Sequence, residues 1–170
     1  MRPIVSVLTL LTLFFLFSAN PTAAETASQK KEKNRIVVTA DKLISENQGR
    51  NAEFSGNVRV TQGKTVIRAN RLKVFFGSDG AGSESIEKIV ARENVRIDFD
   101  DKEARSESAV YVIADRKLVL EGGNAQIKSG DNVIRGTKIT LYRDEDRIQV
   151  EGGGPKRVEA VFYTQGDVLE

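Results

Sequence analysis

The chain has no cysteine, no histidine and no tryptophan, and its single methionine is Met1. Without cysteine there is no disulfide framework, no thiol nucleophile and no thiolate metal site. Without histidine, the commonest proton shuttle and the commonest zinc ligand are gone as well. Catalysis would fall to Asp, Glu, Lys, Ser, Thr and Tyr, and no acid/base constellation of these stands out. Proline is scarce, and beyond the first 24 residues Pro155 stands alone, so missing donors do not interrupt a strand ladder. Charge of one sign is lacking too. The 26 Lys and Arg nearly cancel the 24 Asp and Glu, which leaves no strong field for nucleic acid. The clusters Asp98-Asp100-Asp101 and Asp144-Glu145-Asp146 lie between strand-like runs and lack the Asp-x-Asp-x-Asp-Gly loop of a calcium site. They read as charged turns, and no metal or cofactor is expected.

The one long apolar run, Ile4 to Phe17, follows the basic start Met1-Arg2-Pro3 and precedes the small-residue segment Thr22-Ala23-Ala24. That order is the order of an export signal cleaved before Glu25. A retained anchor is the alternative, but the run is shorter than the roughly 20 apolar residues a spanning helix needs. No cysteine near the cleavage point allows lipid attachment there. The expected layout is a signal peptide over 1–24, a charged arm over 25–34, one β-domain over 35–163 and a tail over 164–170. Residues 35–163 are of single-domain size.

From Arg35 onward short runs alternate apolar with polar, and Gly, Asn and Asp separate them. One pattern recurs. Gly56-Asn57-Val58-Arg59-Val60, then Gly63, Val66-Ile67-Arg68, Leu72 and Val74 is answered by Gly123-Asn124-Ala125-Gln126-Ile127, then Gly130, Val133-Ile134-Arg135, Ile139 and Leu141. Asn94-Val95-Arg96-Ile97 opens a further copy. Period-two runs with turn signals at this spacing predict an all-β fold of stacked repeated units, with the glycines at tight turns. A parallel β-helix and an open antiparallel jelly roll both fit the periodicity. Short turns such as Gln62-Gly63-Lys64 favour hairpins and hence antiparallel pairing. A surface loop is expected over Phe76–Ser83.

Alternation also assigns faces. The inward set is Ile36, Val38, Phe54, Val58, Val60, Leu72, Val74, Val95, Ile97, Ala109, Tyr111, Ile113, Leu118, Leu120, Ile127, Ile139, Leu141, Ile148 and Val150. The first and last candidate strands, Arg35–Thr39 and Arg157–Tyr163, are apolar and β-prone. Left unpaired, such edges invite strand addition by partners of similar fold.

Val38-Thr39-Ala40-Asp41-Lys42-Leu43, Phe54 to Gly63 and Ile67-Arg68-Ala69-Asn70-Arg71-Leu72 together resemble the LptA/OstA-type periplasmic lipopolysaccharide-transport family. Ile86 to Ala91 and Gly130 to Gly136 add to the likeness, which runs from about Arg35 to Tyr163. The resemblance implies a twisted, open antiparallel β-jelly roll whose protomers join head to tail. It implies a periplasmic bridge for lipopolysaccharide, with LptC-like inner-membrane and LptD-like outer-membrane proteins as partners, and no enzymatic activity. Tyr111 and Ile113 fall where the resemblance places a lipid groove, and the inward residues Ile36, Val38, Phe54, Val58, Val60, Leu72, Val74, Val95, Ile97 and Leu120 would line it with them. The partner edges would be Ile36, Val37 and Val38 at one end and Val161, Phe162 and Tyr163 at the other. One departure is Glu93, which stands where the pattern has glycine before asparagine. Burying an acyl chain is worth about 0.8 kcal/mol per CH₂, so smooth apolar walls suffice to hold lipid. Arg59, Arg68 and Arg96 are candidate contacts for lipid phosphates, or solvated strand positions. The competing readings are a membrane-anchored LptC-like component, a structural or glycan-binding β-solenoid and, last, a β-helical lyase.

Overall fold

The computed structural model describes residues 35–46, 50–78 and 84–164. The expected signal peptide and arm, and the tail beyond Thr164, lie outside them. One ten-stranded sheet contains β1 (Ile36–Thr39), β2 (Lys42–Glu46), β3 (Asn51–Gln62), β4 (Thr65–Ser78), β5 (Glu84–Phe99), β6 (Lys102–Val112), β7 (Lys117–Ser129), β8 (Asn132–Tyr142), β9 (Arg147–Glu151) and β10 (Glu159–Val161). Every pairing is antiparallel, which settles the choice against a parallel β-helix. No helix occurs among the described residues.

The strands are longer than the sequence runs suggested, because each continues through a bend. The pairing of β3 with β4 breaks between Ser55 and Val58, that of β5 with β6 between Arg92 and Val95, and that of β7 with β8 between Glu121 and Ala125. Gly56-Asn57, Glu93-Asn94 and Gly122–Asn124 fill these breaks. The recurrent Gly-Asn pairs are therefore mid-strand bulges, not the turns expected of them. A bulge inserts unpaired residues on one strand and bends it. Left-handed backbone at Gly56 (φ 77°), Asn57 (φ 46°) and Gly122 (φ 129°) makes the bend. The outer strands cross the same line by breaking: β1 and β2 pair the two ends of β3, and β9 and β10 the two ends of β8.

The bulge line divides the sheet into a first half, holding β1 and β10, and a second half, holding β2 and β9. The two halves share one apolar cluster. Ala104, Leu120 and Ile139 are 0 % exposed, so the inner face of each half is covered by the other. The hairpin turns Gly63-Lys64, Asp100-Asp101 and Gly130-Asp131 form the free tip of the first half. Residues 113–116 and 143–146 form that of the second.

Side chains fasten the bends. Asp41 accepts a 2.9 Å hydrogen bond from Asn57, and its amide donates to the Gly56 carbonyl at 3.0 Å. Glu107 accepts from the Gly123 amide, and the Lys156 ammonium donates to the Gly123 carbonyl at 2.9 Å. At the middle bend Glu93 holds φ at 65° and pairs with Arg71. A side chain in this conformation costs about 1–2 kcal/mol. Two effects oppose relief of that strain by glycine: the extra freedom of an unfolded glycine, about 0.5–1 kcal/mol, and loss of an exposed ion pair. Glu93→Gly should thus raise stability by about 0.5 kcal/mol, read as a higher denaturant midpoint; a lower midpoint would show that the Arg71 contact outweighs the strain.

Two expectations need correction. Phe76, Gly77 and Ser78 belong to β4 and not to a loop, because Phe76–Ser78 pair with Ile86–Glu84; the rest of that loop, 79–83, lies outside the described residues. The last strand is Glu159–Val161 and not Arg157–Tyr163. Gly152 to Lys156 turn the chain back on itself through paired Gly153 and Lys156 backbones, which delays re-entry into the sheet.

Candidate functional site

Registered neighbours in a sheet point to the same side, so the pairings define rungs across its width. In the first half one inner rung reads Val38, Val60, Ile67, Ile97, Ala104, Ile127, Ile134, Ala160. In the second half one reads Leu43, Phe54, Leu72, Ala91, Ala109, Leu120, Ile139, Val150. Neither rung contains a polar side chain from one sheet edge to the other. Along these rungs the inner surface is a continuous apolar strip that ends, at both sides, on strands whose outer edge is unpaired among the described residues.

The expected groove residues fall into two groups. Val58, Val60, Leu72, Val74, Val95, Ile97 and Leu120 are at most 4 % exposed and sit in the packed core. Ile36, Val38, Phe54 and Tyr111 are half-buried against it. Ile113 stands apart, in the turn after β6, where it lines an open hollow with Phe76, Ile86 and Arg50. The interior is thus shut along its middle and accessible at its margins. Of the wider inward set, Ile148 is 39 % exposed because β9 has no neighbour beyond it among the described residues.

The ends carry the exposed apolar residues. Val37, Leu43 and Ile44 lie at one end, and Ile148, Val158, Phe162 and Tyr163 at the other. Of the expected edge residues, Ile36, Val37 and Val38 are in β1 and Val161 is in β10. Phe162 and Tyr163 lie just past β10, 65 % and 70 % exposed, with the Tyr163 amide donating to Asn132 Oδ1 at 3.0 Å.

Arg59, Arg68 and Arg96 share a rung with Arg105, Gln126 and Arg135 on the outward face of the first half. They therefore point away from the apolar strip and do not rim it. Carboxylates in and beside the rung bridge them: Arg68 and Arg96 to Asp98, Arg96 and Arg105 to Glu103, and Arg135 to Glu159. This lattice relieves the repulsion of stacked like charges. The Arg68 hydrogen bond holds the Asp98 carboxyl below the usual carboxylate range; burial opposes this, and the charges of Arg68 and Arg96 add to it. With its folded pKa depressed, Asp98 contributes stability above its ordinary value of 3.8 that is lost as pH falls through the lower folded value. Asp98→Asn should cost about 0.5 kcal/mol near neutral pH, a size discounted for exposure. The variant and the parent should converge at acid pH in paired denaturant titrations.

Asp100-Asp101 and Asp144–Asp146 are turn residues, as expected, but Asp98 is not: it lies in β5, paired with Val66 and Glu103. Among the described residues no group of three or more potential metal ligands occurs. Sequence reasoning missed a contact between the two turns. Arg143, on the second tip, reaches Asp100, on the first tip, at 3.4 Å, and its guanidinium lies 5.7 Å from the Phe99 ring centre. Residues 43 apart in sequence give no local signal of such a contact.

A family model described as LptA/(LptD N-terminal domain) LPS transport protein matches residues 37–147, which span β1 to the start of β9. The chain belongs to this family. Among curated relatives of this LptA-type chain, lipopolysaccharide export system protein LptA of Escherichia coli (strain K12) is 30 % identical over 130 residues, covering 75 % of this chain and 70 % of that one. An uncharacterized protein of Rhizobium meliloti (strain 1021) is 28 % identical over 123 residues, covering 70 % of this chain and 66 %, just under two thirds, of its own length. Among solved structures, LptH of Pseudomonas aeruginosa, described as the LptA-homologous periplasmic component of the lipopolysaccharide transport device, superposes with a TM-score of 0.67. The match covers 78 % of this chain and 98 % of LptH at 18 % identity, which speaks to the fold. The LptA-type fold is therefore an open antiparallel sheet bent on itself. No helix among the described residues is long and apolar enough to cross a membrane.

Proposed function

We propose that this chain is a periplasmic, non-enzymatic carrier that passes lipopolysaccharide from an inner-membrane exporter to an outer-membrane translocon. It acts as one link in an end-to-end array of bent sheets. The observation that carries the proposal is the pair of apolar rungs running uninterrupted between two unpaired edges. Along these two rungs acyl chains meet no polar side chain, and equivalent rungs let them slide. The groove lies between the half-sheets, and loading requires their free tips to part about the bulge line. Residues 35–163 are the carrier domain, preceded by a cleaved signal peptide. The edges at β1 and β10 receive strands from an LptC-like protein, an LptD-like protein or a second copy of this chain.

Two measurements test this. Photocrosslinkers at Tyr111, which shares an inner rung with Ile89 and Leu118, and at Val112, which faces outward with Lys88 and Lys117, separate the two faces of one strand. Lipopolysaccharide adducts at Tyr111 and none at Val112 are expected. Adducts at neither, in exported and folded protein, would make the interior an ordinary core. Ala160→Pro should remove an N–H that faces the open side of the last strand, since Val161 pairs inward with Val133, and shift the oligomer distribution to smaller species without unfolding the domain. An unchanged distribution in light scattering would reject joining at that edge.

A further inference from the structure

The free tips of the two half-sheets are clasped. The β5–β6 turn of the first half carries Asp100 and Asp101, and the β8–β9 turn of the second carries Arg143 and Asp146. Arg143 bridges the gap, meeting Asp100 at 3.4 Å and lying 5.7 Å from the ring centre of Phe99. Lys102 stands beside them on the inner side. It shares the alternation of Ala104 and Ser106, both buried, and its ammonium is 2.7 Å from Asp101. Asp101 in turn accepts a 2.9 Å hydrogen bond from Ser129. The Asp101 contact raises the Lys102 pKa, against partial burial, and the fields of Asp100 and of Asp146 from the opposite tip add to it. Arg143 and Lys102 are each 33 % exposed. Two cations thus stand at the mouth of the apolar strip, each occupied by carboxylates at the surface.

We propose that Arg143 and Lys102 are a phosphate-recognising gate, closed by Asp100 and Asp101 and opened when the phosphates of an acylated lipid take the carboxylates' place. The inference rests on the lipid-carrier reading and gives it a point of entry. Exposed ion pairs are weak, so a ligand that brings two or three strong acceptor oxygens can displace them. The displacement frees Asp100 from the opposite tip. It thereby uncouples the half-sheets at the moment when acyl chains are present to cover the inner face. A guanidinium suits this role because it binds phosphate through two parallel hydrogen bonds. The outward arginines Arg59, Arg68 and Arg96 cannot perform it, since they face away from the strip.

The chain has no cysteine, so Asp131→Cys and Asp115→Cys, on exposed turns of opposite tips, can carry a unique pair of spin labels. Arg143→Glu and Asp100→Arg should each lengthen and broaden the distance between the labels. The exchange Asp100→Arg with Arg143→Asp should restore the parent distribution, which shows that the charge pair across the tips sets the distance, and cooperative thermal unfolding of each single variant checks that it remains folded. Single variants indistinguishable from the parent would overturn the clasp. Purified lipopolysaccharide should lengthen the parent distance, and its dephosphorylated form should require at least ten times the concentration. Inorganic phosphate alone should leave it unchanged, since it brings no acyl chains. Equal response to both lipid forms, or opening by inorganic phosphate, would overturn the assignment of a lipid phosphate to Arg143 and Lys102. Failure of the lipid to bind either the parent or the opened Arg143→Glu protein would instead sink the carrier reading, with the label distances still reporting on the clasp.

Discussion

Leu120→Ala should lower the unfolding free energy by about 3 kcal/mol. Leu120 is 0 % exposed and stands between Ala109 and Ile139 in the inner rung of the second half, opposite strands that leave no space for collapse. Small neighbours make the loss larger, because Ala91 and Ala109 cannot extend into the cavity. Val119, the next residue and outward-facing, is the control: Val119→Ala should cost under about 1 kcal/mol. Since domains of this size are stable by only about 5–15 kcal/mol, the first change should shift the denaturant midpoint visibly and the second barely. Equal effects would mean that the two faces are not distinguished in solution as their burial requires.

Gly136→Ala should release β9 from the sheet. A Cβ on Gly136 would lie 2.6 Å from Val150 Cγ1 and 2.8 Å from the Glu151 carbonyl oxygen. The carbonyl belongs to the backbone that begins the β8–β9 ladder at Lys138 and Glu151, so no side-chain rotation relieves the contact. Overpacking of this kind costs about 1–3 kcal/mol. The loss should be local. Amide exchange should accelerate over Arg147–Glu151, while β4 to β7 keep their protection. Gly63, whose added Cβ would meet nothing within 4 Å although its φ is +56°, is the comparison for strain without collision. Uniform acceleration across the sheet would show that β9 does not detach as a unit.

Much of this fold is legible in the sequence, and its illegible part has a physical cause. Alternation marks Val58, Val60, Leu72, Val74, Val95 and Ile97 as inward, and all six are buried. The two-residue turns at Gly63-Lys64 and Gly130-Asp131 follow from the same pattern. Gly56-Asn57 does not announce its role, because a left-handed pair looks alike in a hairpin turn and in a bulge. Only the continued pairing on both sides of it shows the chain passing straight through. The site divides the same way. Which residues face inward is a local property of each strand. Whether Arg59 rims the strip, or Arg143 does, depends on how the two halves meet, and no window of sequence holds that.

The open edges set a length scale. Adjacent strands lie about 4.8 Å apart, so a sheet crossed by six continuous strands and two interrupted ones adds about 38 Å to any array it joins. Neither end carries a covering helix or a closing strand among the described residues. A string of such units is a modular ruler. If copies join edge to edge as proposed, the reach of the array grows in equal steps with copy number.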